Sequence, residues 1–250
     1  MSLFDNKFYS GTGGLVLPVP QSLYPPEFQG KSRLTYYASL FSSVEINSSF
    51  YKTPMLSTVS KWAESVPDNF QFTFKLSKAI THAKGLDFNC KDIAHFMQTI
   101  VCIDNKKGCL LVQFPPALKI EKFNQLQHLL KSIKEVNSHP EWKVAIEFRN
   151  QSWYNEEVYD LLDQYKISTV IHDLPLSATP ITETKADFRY LRFHGPGGHY
   201  RGSYSDEFLY QYAQHIRAWV NEGKTAYFYF NNTMGDAVKN LQTLNGFLLL

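Results

Sequence analysis

Eight short segments with alternating side chains recur along this chain, and helical patterns separate most of them. In nearly every segment one parity is apolar, whereas the other becomes polar toward the carboxyl end, as in a strand with one face against a core. The eight predicted strands are residues 8–12, 43–47, 70–76, 108–114, 142–148, 167–173, 188–194 and 225–231. Because alternating strands and helices favour a parallel sheet, this order predicts an α/β protein.

Apolar residues at helical spacing fill most of the intervals between these strands. Leu34, Tyr37, Ala38 and Phe41 follow an i, i+3, i+4, i+7 pattern. The other predicted helices cover about residues 55–65, 92–103, 126–133, 154–165, 205–220 and 235–245. Residues 174–187 contain two prolines and no helical stripe, so the sixth crossover is predicted to be irregular. Eight strands alternating with helices over 250 residues predict a single (β/α)8 TIM-barrel domain over residues 1–250.

Charged side chains at the carboxyl ends of the predicted strands would converge on one mouth of such a barrel. They are Glu45, Lys75, Glu147, Arg149, Asp173, Arg192 and His194. If these residues are catalytic, Glu45 or Glu147 would be the general base, and Lys75 would be its electrostatic partner. His194 or Asp173 would then relay a proton. The same residues could instead form a self-neutralising network of salt bridges that only stabilises the fold.

The segment 188–204 joins the seventh strand to a turn that contains four glycines. This turn is either a solvated connection or a cradle of backbone amides for an anion, with Arg149 and Arg192 as planar partners. Asn231 and Asn232 precede the last helix, whose free amides would face the same place. We therefore expect a small molecule bearing a phosphate or carboxylate. The predicted substrate-binding residues are His82, Gln113, Arg149, Arg192, Gly195, Tyr229 and Asn231.

No cofactor or metal is predicted, although Glu147, Asp173, His172, His194 and His82 are acceptable metal ligands. Parity puts His172 and Asp173 on opposite faces of the sixth strand, and neither H-x-x-x-H nor H-E-x-x-H occurs. Three cysteines without paired spacing predict reduced thiols and a cytoplasmic protein. A signal peptide is not expected, because Asp5 and Asn6 occupy the place where it would need an apolar region. No apolar run is long enough to span a membrane.

A net charge of +2 creates no strong overall attraction for nucleic acid. Basic and aromatic residues near the expected mouth still leave a nucleic-acid binding or processing barrel as an alternative. They are Tyr51, Lys78, Lys84, His199, Tyr200 and Arg201. A third alternative is a ligand-binding protein without catalysis. The oligomeric state has no signal in the sequence.

Seven stretches of this chain resemble the YecE-like proteins, grouped as domain-of-unknown-function family 72. They are VEINSSFYKTP (44–54), FTFKLSKAITH (72–82), LLVQFPP (110–116), AIEFRNQSW (145–153), HDL (172–174), YLRFHG (190–195) and YFYFNN (227–232). The resemblance implies a TIM barrel with a defined pocket and supplies no reaction. It also implies a set of recurring positions, namely Glu45, Lys75, His82, Gln113, Glu147, Arg149, Asp173, Arg192, His194 and Asn231.

The first loop departs from the pattern of that family. Family members usually read G-W-S-Y after the first strand and carry a second tryptophan before F-Y-P. Here the sequence GTGGLVLPVPQSLYPPEF has neither tryptophan. The wall that this loop contributes to the pocket is therefore expected to differ.

Overall fold

A computed structural model describes residues 7–137 and 141–249, so Asp5 and Asn6 lie outside the described residues. The strands are β1 Phe8–Thr12, β2 Ser43–Ile46, β3 Gln71–Lys75, β4 Lys107–Gln113, β5 Lys143–Glu147, β6 Ser168–His172, β7 Phe188–Phe193 and β8 Thr225–Phe230. Each agrees with a predicted segment to within one residue at either end.

The α-helices follow the strands in the predicted order, with short additional turns after β2 and β3. They are α1 Arg33–Leu40, α2 Ser48–Tyr51, α3 Leu56–Glu64, α4 Lys78–Thr81, α5 Cys90–Ile100, α6 Phe123–Val136, α7 Glu156–Gln164, α8 Asp206–Asn221 and α9 Ala237–Leu249. Ser205 caps α8 by accepting a hydrogen bond from the Phe208 amide, and two acidic residues occupy its first turn. Within the described residues, no helix is long and apolar enough to cross a membrane.

The eight strands form one parallel sheet in the order β1-β8-β7-β6-β5-β4-β3-β2. The sheet closes where the Gly14 amide donates to the Glu45 carbonyl oxygen at 2.9 Å. Below that contact, the Tyr37 hydroxyl accepts from the Thr12 amide at 2.7 Å and lies 3.2 Å from the Ser43 carbonyl oxygen. A Cβ atom on Gly11 would lie only 2.0 Å from the same carbonyl oxygen, so this seam requires glycine. The predicted (β/α)8 barrel is confirmed.

The two faces of the strands separate as the parity pattern predicted, except in β6, where Val170 and His172 face inward. The outward face contributes Val44, Phe72, Leu110, Ile146, Leu191 and Phe228 to the core shared with the helices. Inside the barrel, tyrosines replace many of the branched aliphatic residues that usually fill such a lumen. The inner cluster contains Cys109, Leu111, Ala145, Val170, Phe188, Tyr190, Tyr227 and Tyr229. These bulky rings make a rigid floor beneath the charged mouth.

The sixth crossover is irregular, as its prolines predicted, but it is held firmly against the barrel. The Thr179 hydroxyl donates to the Val170 carbonyl oxygen at 2.8 Å, and the Tyr154 hydroxyl donates to the Ser177 carbonyl oxygen at the same distance. Ser177 and Thr179 are both buried. The crossover therefore covers the top of β6 as an ordered strap.

Candidate functional site

Arg192 lies near the carboxyl end of β7 and is almost completely buried. Its Nε and Nη2 atoms donate to the two carboxylate oxygens of Glu45 at 2.9 and 2.7 Å. Nη1 donates to Glu147 Oε2 at 2.5 Å, and Nη2 also donates to Asn231 Oδ1 at 3.1 Å. Since four of the five N–H bonds of the guanidinium are engaged, Arg192 holds the network together. It does not present the free planar fork that was expected to bind an anion.

Glu45 and Glu147 are both fully buried, and each of their carboxylate oxygens accepts at least one hydrogen bond. Glu45 also accepts from the Tyr190 hydroxyl at 2.6 Å, and Glu147 accepts from Arg149 Nε. Burial by itself raises the pKa of each carboxyl group, but the adjacent arginines outweigh it, so the pKa of both lies below the usual range. The two environments do not push the carboxyl pKa values apart, as a general acid and base pair requires. The geometry therefore favours a structural and electrostatic role for both glutamates.

His194 links Arg149 to Asp173 within this network. Its Nε2 atom lies 3.2 Å from Arg149 Nη2, and its Nδ1 atom lies 3.3 Å from Asp173 Oδ1. Because a guanidinium only donates, Nε2 must accept and Nδ1 must carry the proton. Burial lowers the pKa of His194 to about 4, so the ring is neutral near pH 7. A neutral ring in this position orients Arg149 and is poorly suited to the predicted proton relay.

Strand parity predicted that Asp173 faces into the barrel, and this prediction was wrong. The register pairs His172, rather than Asp173, with Arg192, so His172 belongs to the inward side of β6. Asp173 follows the end of the strand and accepts from the His194 amide at 2.8 Å. Its other oxygen accepts from the Tyr204 hydroxyl. Asp173 therefore supports His194 from behind the mouth.

Lys75 is the last residue of β3 and is partly exposed at the mouth. Among the ion pairs of the described residues, none joins Lys75 Nζ to a carboxylate within 4.0 Å. Its Nζ atom lies over the ring of Phe50, 4.2 Å from the ring centroid. Burial and then the charge of Arg192 lower the pKa of Lys75 to about 8, although Glu147 and Glu45 act in the opposite direction. Lys75 is thus the mouth cation least committed to the network.

His82 and Gln113 lie on either side of this region. His82 follows α4, is exposed, and meets the Phe50 ring edge-on at 4.9 Å between centroids. Burial lowers its pKa, and Lys75 and Arg149 lower it further, which puts His82 on the rim beside these cations. Gln113 is paired in register with Glu147, but its Nε2 atom donates to the Phe114 carbonyl oxygen at 2.6 Å. The structure therefore brings His82 to the mouth and turns the Gln113 amide back toward its own backbone.

Three amides of the glycine-rich turn after β7 donate to groups of the same segment. The Gly195 amide donates to the Tyr204 hydroxyl, and the Gly198 and Tyr200 amides donate to the carbonyl oxygens of Gly195 and His194 at 2.7 Å. The Met234 amide is likewise bonded, and α9 begins only at Ala237. The expected cradle of free amides from the turn and the last helix is therefore not formed at these positions. The alternative of a simple connecting turn describes these positions better.

Tyr229 lies below the mouth rather than in it. Its hydroxyl makes hydrogen bonds with Ser43 Oγ at 2.6 Å and Thr73 Oγ1 at 2.8 Å, and its side chain is completely buried. Its ring packs against Tyr190, which in turn donates to Glu45. Tyr229 therefore supports the charged layer from beneath and is shielded from a ligand.

Two residues of the mouth region received no role from the sequence. Tyr190 has the same strand parity as Arg192, so an inward tyrosine one layer below the charges was a usable signal. Tyr204 lies in a loop without periodicity, so no local pattern pointed to its contacts with Asp173 and Gly195.

Across residues 7–137 and 141–249, no three His, Cys, Asp or Glu side chains are grouped as metal ligands.

The fold and the site together define the class of protein: a (β/α)8 barrel with a buried charged network at the carboxyl ends of its strands. A family model described as "Protein of unknown function DUF72" matches residues 11–249. The chain belongs to this family, as the resemblance predicted.

Relatives and solved structures agree with this assignment. The chain is 29% identical over 250 aligned residues to UPF0759 protein YunF of Bacillus subtilis (strain 168), which covers 88% of this chain and 87% of that protein. UPF0759 protein YecE of Escherichia coli (strain K12) is 27% identical over 166 residues, covering 64% of this chain and 59% of that protein.

Crystal structures of DUF72 family proteins superpose over nearly the whole chain. The one from Enterococcus faecalis V583 gives a TM-score of 0.79 at 23% identity and covers 97% of this chain and 96% of its own. The one from Thermotoga maritima MSB8 gives a TM-score of 0.78 at 25% identity, with 97% and 99% covered. These structures have the same barrel fold.

Proposed function

We propose that this protein is an enzyme that performs acid–base chemistry on a small anionic molecule at the mouth of the barrel, with Lys75 as the base. The observation that carries the proposal is the position of Lys75. It is partly exposed and has no carboxylate within ion-pair distance among the described residues, whereas both glutamates beside it are paired with Arg192. A pKa of about 8 leaves an appreciable neutral fraction of the amine near neutral pH. This assignment moves the base from the glutamates to the lysine.

Arg149 is the residue best placed to hold the anion. Its described contacts engage Nε with Glu147 and Nη2 with His194, and its side chain is 13% exposed. A guanidinium has five N–H donors, so Arg149 retains donors that can bind a carboxylate or phosphate. Lys75 carries a positive charge only after its neutral amine has taken a proton from the substrate, and that charge then lies beside the anion. Arg149 is therefore the permanent cation that supports an anionic substrate.

Thermal-shift measurements with phosphorylated and carboxylated metabolites test the binding step. A ligand present at 100 times its dissociation constant stabilises the folded protein by roughly 2.7 kcal/mol. We expect at least one anion to raise the melting temperature of the wild type and to lose this effect in Arg149→Met. Lys78→Met is the matched control, because Lys78 is an exposed lysine three residues beyond Lys75. If no anion raises the melting temperature, the proposal is overturned.

Hydrogen exchange in the bound molecule tests the chemistry separately. An anion that binds is incubated with the protein in deuterated water, and loss of its C–H signals is followed by proton nuclear magnetic resonance. A base at Lys75 should exchange a proton next to the carbonyl or carboxyl group, and Lys75→Met should abolish that exchange. Binding without exchange in the wild type would support a non-catalytic ligand-binding protein instead.

A nucleic-acid binding barrel is a second candidate, supported by one feature of the rim. The Tyr51 side chain is 70% exposed, and Lys78 Nζ lies 5.5 Å from the centroid of its ring. An exposed aromatic ring beside a lysine can stack on a base near a phosphate. Oligonucleotide binding that weakens steeply with salt and is lost in Tyr51→Ala would favour this candidate.

The proposed location is the cytoplasm. Cys90, Cys102 and Cys109 are all free thiols, which supports a reducing compartment. Fractionation of cells that express the protein tests this location.

A further inference from the structure

The first loop of the barrel, which joins β1 to α1, lines an open cavity. The volume of the cavity is about 570 Å³, and small-molecule sites span roughly 300 to 1,000 Å³. Most of the lining residues are apolar, and they include Leu15, Val16, Leu17 and Val19. The lining shares no residue with the charged network around Arg192. The cavity is therefore a second concave site, distinct from the mouth residues described above.

Prolines and aromatic packing hold this loop in shape. Pro18 and Pro20 both line the cavity, and a proline ring fixes its own φ angle. The Pro20 carbonyl oxygen accepts from the Leu23 amide at 2.9 Å. Tyr24 forms another part of the lining, is buried, and packs on Tyr36 with 4.2 Å between the ring centroids. Because the walls are already ordered, a ligand can enter at little cost in conformational entropy.

Arg33 gives the cavity its charge. Of the residues that line it, only Arg33 is ionised at neutral pH. Its Nη2 atom donates to the Leu15 carbonyl oxygen at 3.0 Å, which holds the guanidinium against the loop. Across residues 7–137 and 141–249, no ion pair joins Arg33 to a carboxylate. A guanidinium has five N–H bonds, so Arg33 retains donors for an anion.

The position of Arg33 in the fold adds to this preference for negative charge. It is the first residue of α1, where the dipole of the helix contributes a partial positive charge. An apolar cavity with one positively charged side chain is complementary to a molecule that has an apolar body and a single negative charge.

We propose that this cavity binds a carboxylate carried on an apolar chain, such as a medium-chain fatty acid. The leucine, valine and proline side chains shield the chain from water, and each buried methylene strengthens binding. The two carboxylate oxygens match parallel N–H groups of a guanidinium. An ammonium head group would be repelled by Arg33, and a short carboxylate would lack the apolar contacts. This site does not depend on the proposed function at the mouth.

Four probes test the site by titration calorimetry, namely octanoate, acetate, octan-1-ol and octylammonium. We expect octanoate to bind the wild type about a hundredfold more tightly than acetate, because only octanoate has an apolar chain to bury. It should bind about three- to fivefold more tightly than octan-1-ol, since an exposed charge pair contributes modestly. Octylammonium should bind more weakly than octan-1-ol. Equal binding of octanoate and acetate, or of octanoate and octylammonium, would overturn the proposal.

Two variants locate the binding within the cavity. Arg33→Met should lower the affinity for octanoate to that for octan-1-ol and leave the affinity for octan-1-ol unchanged. Lys31→Met is the matched control, because Lys31 is an exposed lysine two residues before Arg33 and does not line the cavity. Val19→Asp should abolish binding of octanoate, since it places a second carboxylate in the lining. Val19 is only partly buried, so this variant should remain folded.

Arg149→Met separates this cavity from the anion site at the mouth. Octanoate should bind this variant as tightly as it binds the wild type. Loss of octanoate binding in Arg149→Met would place the ligand at the mouth and overturn the cavity site. Undiminished octanoate binding in both Arg33→Met and Val19→Asp would overturn it as well.

Discussion

The guanidinium of Arg192 and the carboxylate of Glu45 form a bidentate ion pair across the barrel, with N–O distances of 2.9 and 2.7 Å. The two residues are 147 positions apart in the chain and lie on β7 and β2. Both are almost completely shielded from water. Parallel hydrogen bonds of this kind fix orientation as well as distance. The pair therefore ties together two strands that are not neighbours in the sheet.

Removal of Arg192 should destabilise the fold strongly. The Arg192→Met variant would leave the charges of Glu45 and Glu147 buried beside an apolar side chain, which costs about 3 to 5 kcal/mol. Urea denaturation measures this loss. Glu141→Gln is the control, because Lys134 and Glu141 form an exposed ion pair whose loss should cost at most about 1 kcal/mol. Similar costs for the two variants would contradict a structural role for Arg192.

The reactivity of the Lys75 amine should follow a pKa of about 8. Acetylation by acetic anhydride, followed peptide by peptide with mass spectrometry, should reach half its maximal rate for Lys75 near that pH. Arg149→Met should shift the midpoint upward, because it removes a positive charge that lowers the pKa of Lys75. An unchanged midpoint would show that Arg149 does not act on this amine. The charged groups that act on it are Arg192, Glu147, Glu45 and Arg149.

His194 should make the protein less stable as the solution becomes mildly acidic. Burial lowers the pKa of His194 from 6.5 to about 4, so the unfolded chain binds a proton more readily than the folded one. The free energy of unfolding contributed by the neutral ring is complete above pH 6.5 and declines between pH 6.5 and 4. The full decline amounts to about 3 kcal/mol. Urea denaturation at several pH values measures the slope.

His194→Gln should flatten this slope between pH 6.5 and 4.5. Glu45 and Glu147 do not interfere in this range. Because their pKa values are lowered in the folded protein, their contribution to the free energy of unfolding declines below pH 4.5, the ordinary pKa of a glutamate. Burial also lowers the pKa of His172, so His172→Gln measures its share of the same slope. An unaltered slope in His194→Gln would rule out the proposed environment of this ring.

Gly195 should tolerate alanine less well than Gly14 does. Both have positive φ angles, +93° and +94°, so an alanine at either position adopts an unfavourable backbone conformation that costs about 1 to 2 kcal/mol. At Gly195 the new Cβ atom would also lie 2.3 Å from the Arg201 carbonyl oxygen, whereas at Gly14 it meets nothing within 4 Å. Thermal denaturation should therefore show the greater loss for Gly195→Ala. Equal losses would mean that the turn can yield at Arg201.

Most of the fold could be predicted from local patterns. Side chains in a strand alternate between its two faces, so the sequence alone predicts that neighbours such as Leu191 and Arg192 lie on opposite faces. The irregular crossover over residues 174–187 was likewise visible in its prolines. Parity failed at Asp173, because β6 is apolar on both faces and Val170 and His172, rather than the odd-numbered residues, point into the barrel.

The sequence by itself determined the barrel, the two faces of its strands and the collection of charged residues at one mouth. The tertiary structure decided which of those charges neutralise each other. Arg192 donates to Glu45 and Glu147, whereas Lys75 pairs with no carboxylate in the part of the chain that the structure describes. That outcome depends on hydrogen-bond directions across a closed barrel, between residues 147 and 45 positions apart in the chain. No local period along the chain contains this information, because the geometry exists only once the eight strands have met.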